Sequence, residues 1–101
     1  MTAGHFERAL ARSAARAGAT LSVDSHRAVA WHSATFSGDR HELTLRAAAD
    51  PALDAWTAGF AQLDLGMRGH LLADLRVAAR ERHGSHIVLR VEGLTVACAP
   101  R

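Results

Sequence analysis

Seven histidines and a single cysteine are the first residues to examine for catalysis or metal binding in this chain of 101 residues. His83 and His86 flank a predicted tight turn, at a spacing that lets two imidazoles bind one zinc ion. A zinc site needs three or four ligands, and the nearest further candidate is Glu81. Cys98 has no second cysteine with which to form a metal-binding or disulfide pair. We therefore interpret both histidines as solvated loop residues, leave metal binding open, and interpret Cys98 as a small buried apolar side chain.

A second group of reactive side chains lies between residues 32 and 42, where histidine, serine and carboxylate residues are crowded together. Hydrolytic catalysis needs a nucleophile, a base and an orienting acid within hydrogen-bond distance of one another. In the hairpin predicted below, His32 and Ser33 point to opposite faces and Asp39 lies in the turn. The segment is therefore interpreted as structural. His32 and His41 remain candidates for an acid–base group in a cleft between sheet and helices.

Motifs for cofactor binding and for a catalytic nucleophile are missing from the sequence. The nearest glycine pair, Gly66 and Gly69, lacks the spacing and the lysine of a phosphate-binding loop, and no G-x-S-x-G motif occurs. The chain has no lysine at all, and its twelve arginines against ten carboxylates give a net charge of +2. The sequence therefore predicts no cofactor and no catalytic or metal-binding residue set.

Arg8, Arg12 and Arg16 recur every fourth residue along the first predicted helix, and such a stripe can follow a phosphate backbone. The nearly balanced charge argues against nucleic acid as a partner, and so does the lack of aromatic residues arranged for base stacking. We interpret the stripe as a solvated helix face and rank nucleic-acid binding last among the functional hypotheses.

Membrane insertion and secretion are not expected. Charges interrupt every apolar stretch well before the roughly 18 residues that a membrane span requires. The first ten residues carry Glu7 and Arg8 where the apolar core of a signal peptide should begin. A lone cysteine gives no sign of an oxidising compartment, so a cytoplasmic location is the default expectation.

Two helices are predicted from capping residues and apolar spacing. Residues 5–17 place apolar side chains on one side, and Gly18 suits a left-handed cap at the end of the helix. Asp50 followed by Pro51 is typical of a helix start, and the apolar stripe that follows predicts a helix up to Gly66.

Residues 27–37 and 40–47 predict a first β-hairpin, with Gly38 and Asp39 in a two-residue type II′ turn. This register turns Trp31 away from the core, whereas a three-residue turn would bury it. The exposure of Trp31 is therefore left open. The predicted core face comprises Ala34, Phe36, Leu43, Leu45 and Ala47.

Residues 70–81 and 85–98 predict a second hairpin with a three-residue loop at 82–84. The apolar alternation changes phase near Gly93, which indicates a β-bulge there. Leu71 is then expected on the core face, and Leu72 and Arg80 on the opposite face.

These elements predict a single α+β domain spanning residues 1–101. Its fold class is a two-layer sandwich of order α-(β)-β-β-α-β-β, in which both helices cover one face of an antiparallel sheet of four or five strands. The uncertain strand is a short one at residues 21–23. Because 22 of the apolar residues are alanine, the core is expected to be small.

The sheet face away from the helices is the candidate partner face. Tryptophan and arginine are the residues that commonly anchor interfaces. On the predicted register Arg76 lies opposite Arg90, with carboxylates at diagonal positions to reduce the repulsion. The expected partner-face residues are Val29, Trp31, Arg46, Arg76 and Arg90.

The leading hypothesis is a small non-enzymatic protein-interaction module that forms a homodimer through this face, with an unknown protein as a further type of partner. A plain solvated face with internal ion pairs is the competing interpretation. The alternative from a different functional class is a small-molecule-binding domain or weak enzyme that uses a histidine-containing cleft between sheet and helices.

Overall fold

The computed structural model describes residues 2–98, and the predicted fold class is confirmed. Four strands form one antiparallel sheet in the order β1-β2-β4-β3, and both helices pack against the same face of it. The short strand expected at residues 21–23 is the beginning of β1, so the sheet has four strands. The elements are α1 (Thr2–Arg16), β1 (Leu21–His32), β2 (Ser37–Ala48), α2 (Pro51–Ala58), a 3-10 turn (Phe60–Gln62), β3 (His70–His83) and β4 (His86–Ala97).

α1 ends and α2 begins for the reasons that their sequences indicate. Gly18 adopts a φ of 90° just after α1, a left-handed conformation that glycine tolerates. The carboxylate of Asp50 accepts a hydrogen bond from the amide of Ala52 at 2.7 Å, with Pro51 at the first helical position. α2 is shorter than predicted, because it ends at Ala58 and the chain continues as the 3-10 turn. No helix in residues 2–98 combines the length and the apolar character needed to cross a membrane.

The predicted turn at Gly38 and Asp39 is wrong. β1 and β2 are joined by residues 33–36, where the Ser33 hydroxyl accepts a hydrogen bond from the Phe36 amide at 3.0 Å. A serine side chain that satisfies the backbone in this way supplies turn chemistry without glycine. Phe36 and Ala34, predicted in the core, are exposed at this turn, whereas the predicted core residues of β2 are buried: Leu43, Leu45 and Ala47.

Gly38 has a different role from the predicted one. It lies inside β2 between Trp31 of β1 and Val96 of β4, and a Cβ atom there would overlap the carbonyl oxygen of Thr95. The glycine is needed because two backbones approach closely, which is a second common reason for a glycine in a strand.

The second hairpin also differs from the prediction. His83 pairs with His86, so the turn has two residues, and Gly84 adopts the positive φ of 63° that the first central position of a type II′ turn requires. The bulge predicted at Gly93 is absent from β4, where inward residues alternate without interruption. The bulges lie in β3 instead, at Ala73 and Ala78.

The core lies between the sheet and the two helices. Its fully buried side chains come from both layers, and the helices are also joined by a hydrogen bond in which Trp56 Nε1 donates to Ser13 Oγ at 2.9 Å. Gly93 leaves room for the ring of Phe6, because a Cβ atom at this position would lie 2.8 Å from Phe6 Cζ. The large side chains that are fully buried include Phe6, Leu10, Leu45, Leu53, Ile87, Leu89 and Val91.

Replacement of Gly38 by alanine is expected to lower the free energy of unfolding by about 2 kcal/mol or more, because β2 and β4 must separate to admit the methyl group. Gly66→Ala is the matched control, since no heavy atom lies within 4 Å of a Cβ built there, and its change should stay within about 0.5 kcal/mol. Urea denaturation measures both. Equal stability of the two variants would contradict the observed register.

Candidate functional site

All five residues expected on the partner face occupy outward positions on the sheet. We call the side of the sheet opposite the helices the outer face. Val29 and Trp31 lie there on β1, and the three arginines lie on the other strands. No outward strand position of the outer face is buried by another element of residues 2–98. That these residues contact a partner stays a prediction.

Trp31 lies on the outer face, as in the register with a two-residue turn and not as in the three-residue alternative, although the turn itself lies elsewhere. Leu43 was predicted opposite Ala34, but it lies opposite His26, eight residues earlier. Because side chains alternate with a period of two, a register change by an even number of residues keeps every side chain on its face. Trp31 is half-buried on the outer face and is not part of the core.

The bulges of β3 exchange some residues between the two faces. Leu72 is turned inward and packs against the core, while Leu71 is turned outward with 61 % of its surface exposed. Arg80 lies on the helix side, where its guanidinium forms an ion pair with Asp54 of α2 at 2.7 Å. The predicted faces of these three residues are therefore wrong, because each bulge shifts the alternation by one residue.

The central row of the outer face carries four charges. Arg76 lies opposite Glu92 and forms an ion pair with it, not opposite Arg90 as predicted. Glu92 in turn lies opposite Glu42, and Glu42 opposite Arg27. The row therefore reads positive, negative, negative, positive from β1 to β3. Two shallow depressions of about 280 and 270 Å³ share the two glutamates.

One end of the outer face is apolar. Its last complete row consists of Trp31, Gly38, Val96 and Leu71, one from each strand. Val29 lies in the next row and has 48 % of its surface exposed. Large apolar side chains exposed in a group are typical of contact surfaces.

The indole of Trp31 carries an unsatisfied donor. Its Nε1 atom is closed off from solvent and has no hydrogen-bond partner in the described structure. A buried donor without a partner costs about 1–3 kcal/mol. Trp56 is the contrasting case, since its Nε1 donates to Ser13.

A chain of hydrogen bonds connects α1 to the sheet on the opposite, inward face. His26 Nδ1 lies 2.6 Å from Glu7 Oε2, and His26 Nε2 lies 2.9 Å from His41 Nδ1. His41 Nε2 lies 3.0 Å from Thr95 Oγ1, which is 3.3 Å from the carbonyl oxygen of Asp39. Phe6 stacks on His41 with ring centroids 4.0 Å apart. We call Glu7, His26, His41 and Thr95 the buried relay.

The direction of these bonds assigns the protons. Thr95 donates its hydroxyl proton to the carbonyl of Asp39, so it accepts from His41 Nε2–H. Burial, followed by the charge of His26, lowers the pKa of His41 to about 4 and keeps this ring neutral at pH 7. On its other side the ring of His41 is hydrogen-bonded to His26, and His26 is hydrogen-bonded to Glu7.

The buried relay has the order of a catalytic group, with a hydroxyl, a base and an acid in sequence. Thr95 and His41 are both fully buried, so no substrate reaches either of them in this conformation. His32, the other candidate acid–base group, lies exposed at the end of β1 and away from the helices. The arrangement is suited to holding α1 on the sheet, because its hydrogen bonds join Glu7 of α1 to His26 of β1.

The other residues that were considered for metal binding or catalysis are not grouped into a site. His83 and His86 face each other beside the second turn, and Glu81 accepts a hydrogen bond from His83 at 3.1 Å. Within residues 2–98 no three or more His, Cys, Asp or Glu side chains are grouped so that they can hold a metal ion. Cys98 is exposed, which corrects the expectation that it is buried.

Sequence reasoning missed most of the buried relay. His41 was named, but its partners were not. The unbroken alternation along β4 from Ile87 to Thr95 is the signal that places Thr95 on the inward face. His26 lies one residue before the predicted strand of residues 27–37, and it points inward because the pairing of β1 with β2 is unbroken from His26 to His32.

Comparisons with known proteins returned no match. No family model matches this chain, and neither a curated protein nor a solved structure is similar enough to count as a relative. Only the geometry of the outer face and of the buried relay therefore bears on the function of this protein.

Trp31→Phe is expected to leave the free energy of unfolding unchanged or to raise it by up to about 1 kcal/mol, because it removes a buried donor that has no partner. Trp56→Phe should lower it by about 1–3 kcal/mol, because the hydrogen bond to Ser13 is lost. Urea denaturation of both variants measures the difference. A larger loss in Trp31→Phe than in Trp56→Phe would contradict the assignment.

The free energy of unfolding is expected to fall as the pH is lowered from 6.5 to about 4. In that window the unfolded chain binds a proton on His41 that the folded chain does not, so acid favours unfolding, by at most about 3 kcal/mol. His41→Gln should remove this part of the pH dependence, and the exposed His83→Gln should retain it. The check is urea denaturation across the window.

A direct measurement complements the variants. In the wild-type protein the ring protons of His41, followed by NMR, should titrate with a midpoint of about 4. An ordinary midpoint near 6.5 would mean that the ring is not buried in the manner described.

Proposed function

We propose that this protein is a non-enzymatic interaction module that forms a homodimer by docking the outer faces of two copies. The observation that carries the proposal is the position of the large apolar side chains that remain exposed. Val29 and Leu71 lie on the outer face at its apolar end, and Phe36 lies in the turn at the same end of the sheet.

The area of the outer face supports a stable dimer. Strands of 12 residues at about 3.4 Å per residue, four of them about 4.8 Å apart, define a face of roughly 19 by 40 Å. This is about 760 Å², close to the roughly 800 Å² that each partner contributes to a standard interface. The opposite face of the sheet is already occupied by the helices.

Charge complementarity favours a second copy over a partner of one charge sign. The central row carries Arg27 and Arg76 at its ends and Glu42 and Glu92 between them. A strongly acidic or strongly basic partner would leave one pair of these charges unmatched. The row has no net charge, because each arginine lies beside a glutamate of the same copy, so a second copy brings no unbalanced charge to the interface.

The strand edges are less suited to self-association than the face. β1 and β3 are the edge strands, and the three bulges of the sheet lie in them, at Asp24, Ala73 and Ala78. Bulges on edge strands disrupt the row of free backbone groups and so oppose edge-to-edge pairing. Docking through the outer face requires no change in the sheet.

Val29→Glu and Leu71→Glu are expected to weaken dimerisation at least about tenfold each, because each introduces a charge into the apolar end of the interface. Ala15→Glu is the matched control, since it places the same side chain on the exposed side of α1. Sedimentation velocity over a dilution series measures the monomer–dimer equilibrium, and the control should stay within about twofold of wild type.

A second readout reports the interface directly. In the Trp56→Phe background the remaining tryptophan is Trp31, whose fluorescence should shift to shorter wavelength as the protein concentration rises. A monomer at every concentration would overturn the proposal. So would a dimer that Val29→Glu, Leu71→Glu and Ala15→Glu weaken to the same extent.

A further inference from the structure

We propose that the helix side of the molecule holds an anion site, which binds the phosphate group of a small phosphorylated ligand. The site is a depression of about 220 Å³ between the first turns of α1 and the segment that precedes β3. It is separate from the outer face, because α1 packs on the inward side of the sheet. Its lining residues are His5, Arg8, Arg12, Gly66, Met67 and Arg68.

Three arginines line this depression, and they come from two segments of chain. Arg8 and Arg12 are one turn apart on α1, so their side chains lie on the same side of the helix. Arg68 comes from the opposite wall. Planar guanidinium groups with several N–H donors match the oxygens of a phosphate.

These arginines differ from Arg46, Arg76 and Arg80, each of which lies within 4 Å of a carboxylate oxygen. Among the described residues, no carboxylate oxygen lies within 4 Å of the guanidinium of Arg8, Arg12 or Arg68. Unpaired cations around a concave surface attract an anion from solution.

His5 reports the positive potential of the site. Its pKa lies below the ordinary value of 6.5, chiefly because of the charge of the amino terminus, followed by desolvation and the charge of Arg8. The further contributions, from His70 and Arg12, also lower the pKa. A bound phosphate dianion would oppose this potential and raise the pKa of His5.

The size of the depression favours a compact ligand. Its volume of about 220 Å³ lies below the roughly 300–1,000 Å³ of ordinary small-molecule pockets. The wall at Gly66 is open, since no heavy atom lies within 4 Å of a Cβ built there. The site therefore has room for a phosphate group whose organic substituent extends into solvent.

Titration with inorganic phosphate and with phenyl phosphate at low ionic strength tests the proposal, with the ring protons of His5 as the NMR signal. We expect saturation with a Kd on the order of 1 mM and a rise in the pKa of His5. Arg8→Gln and Arg68→Gln should each weaken binding about tenfold or more, because each removes a charge-assisted hydrogen bond.

Arg16→Gln is the matched control, because it removes the same charge from the same helix at a position outside the depression. It should change the Kd by less than about twofold. An equal loss in all three variants would overturn the proposal, because net charge alone would then explain binding. So would the absence of saturation, or tighter binding of a short single-stranded oligonucleotide that depends on Arg16.

Discussion

A buried histidine pair determines how this small fold is put together. His41 is fully buried on the inward sheet face, and a polar ring in that position has to be hydrogen-bonded through both of its nitrogens. Thr95 satisfies one nitrogen and His26 the other. His26 in turn is hydrogen-bonded to Glu7 of α1. The position of the helix therefore follows from polar groups as well as from apolar burial.

This arrangement has a consequence for the two faces of the sheet. Gly93, which lies opposite His41, leaves room for the ring of Phe6, so the first turns of α1 pack on the inward face of the sheet. α2 packs on the same face, where Trp56 donates a hydrogen bond to Ser13 of α1. The chain described here has no further element with which to cover the outer face. Residues 2–98 therefore leave the apolar end and the mixed charges of that face uncovered, while the arginines of α1 face solvent on the other side.

Local signals in the sequence were sufficient for the end of α1, for the start of α2 and for the fold class. Asp50 and Pro51 start a helix whatever surrounds them, because the cap is made within three residues. Gly38 suggests a turn when only the sequence is considered. A glycine that admits a neighbouring backbone inside a strand cannot be distinguished by residue type from a glycine in a turn. The position of His26 beside His41 follows from where the turn between β1 and β2 lies, so the partners of His41 could not be read from local patterns.

The most direct test of this account is an isotope-filtered NOE experiment on a mixture of ¹³C-labelled and unlabelled protein. The account predicts intermolecular NOEs among Val29, Trp31 and Leu71, the side chains at the apolar end of the outer face. Intermolecular NOEs that involve the exposed side of α1, or none at a concentration at which sedimentation shows a dimer, would contradict it.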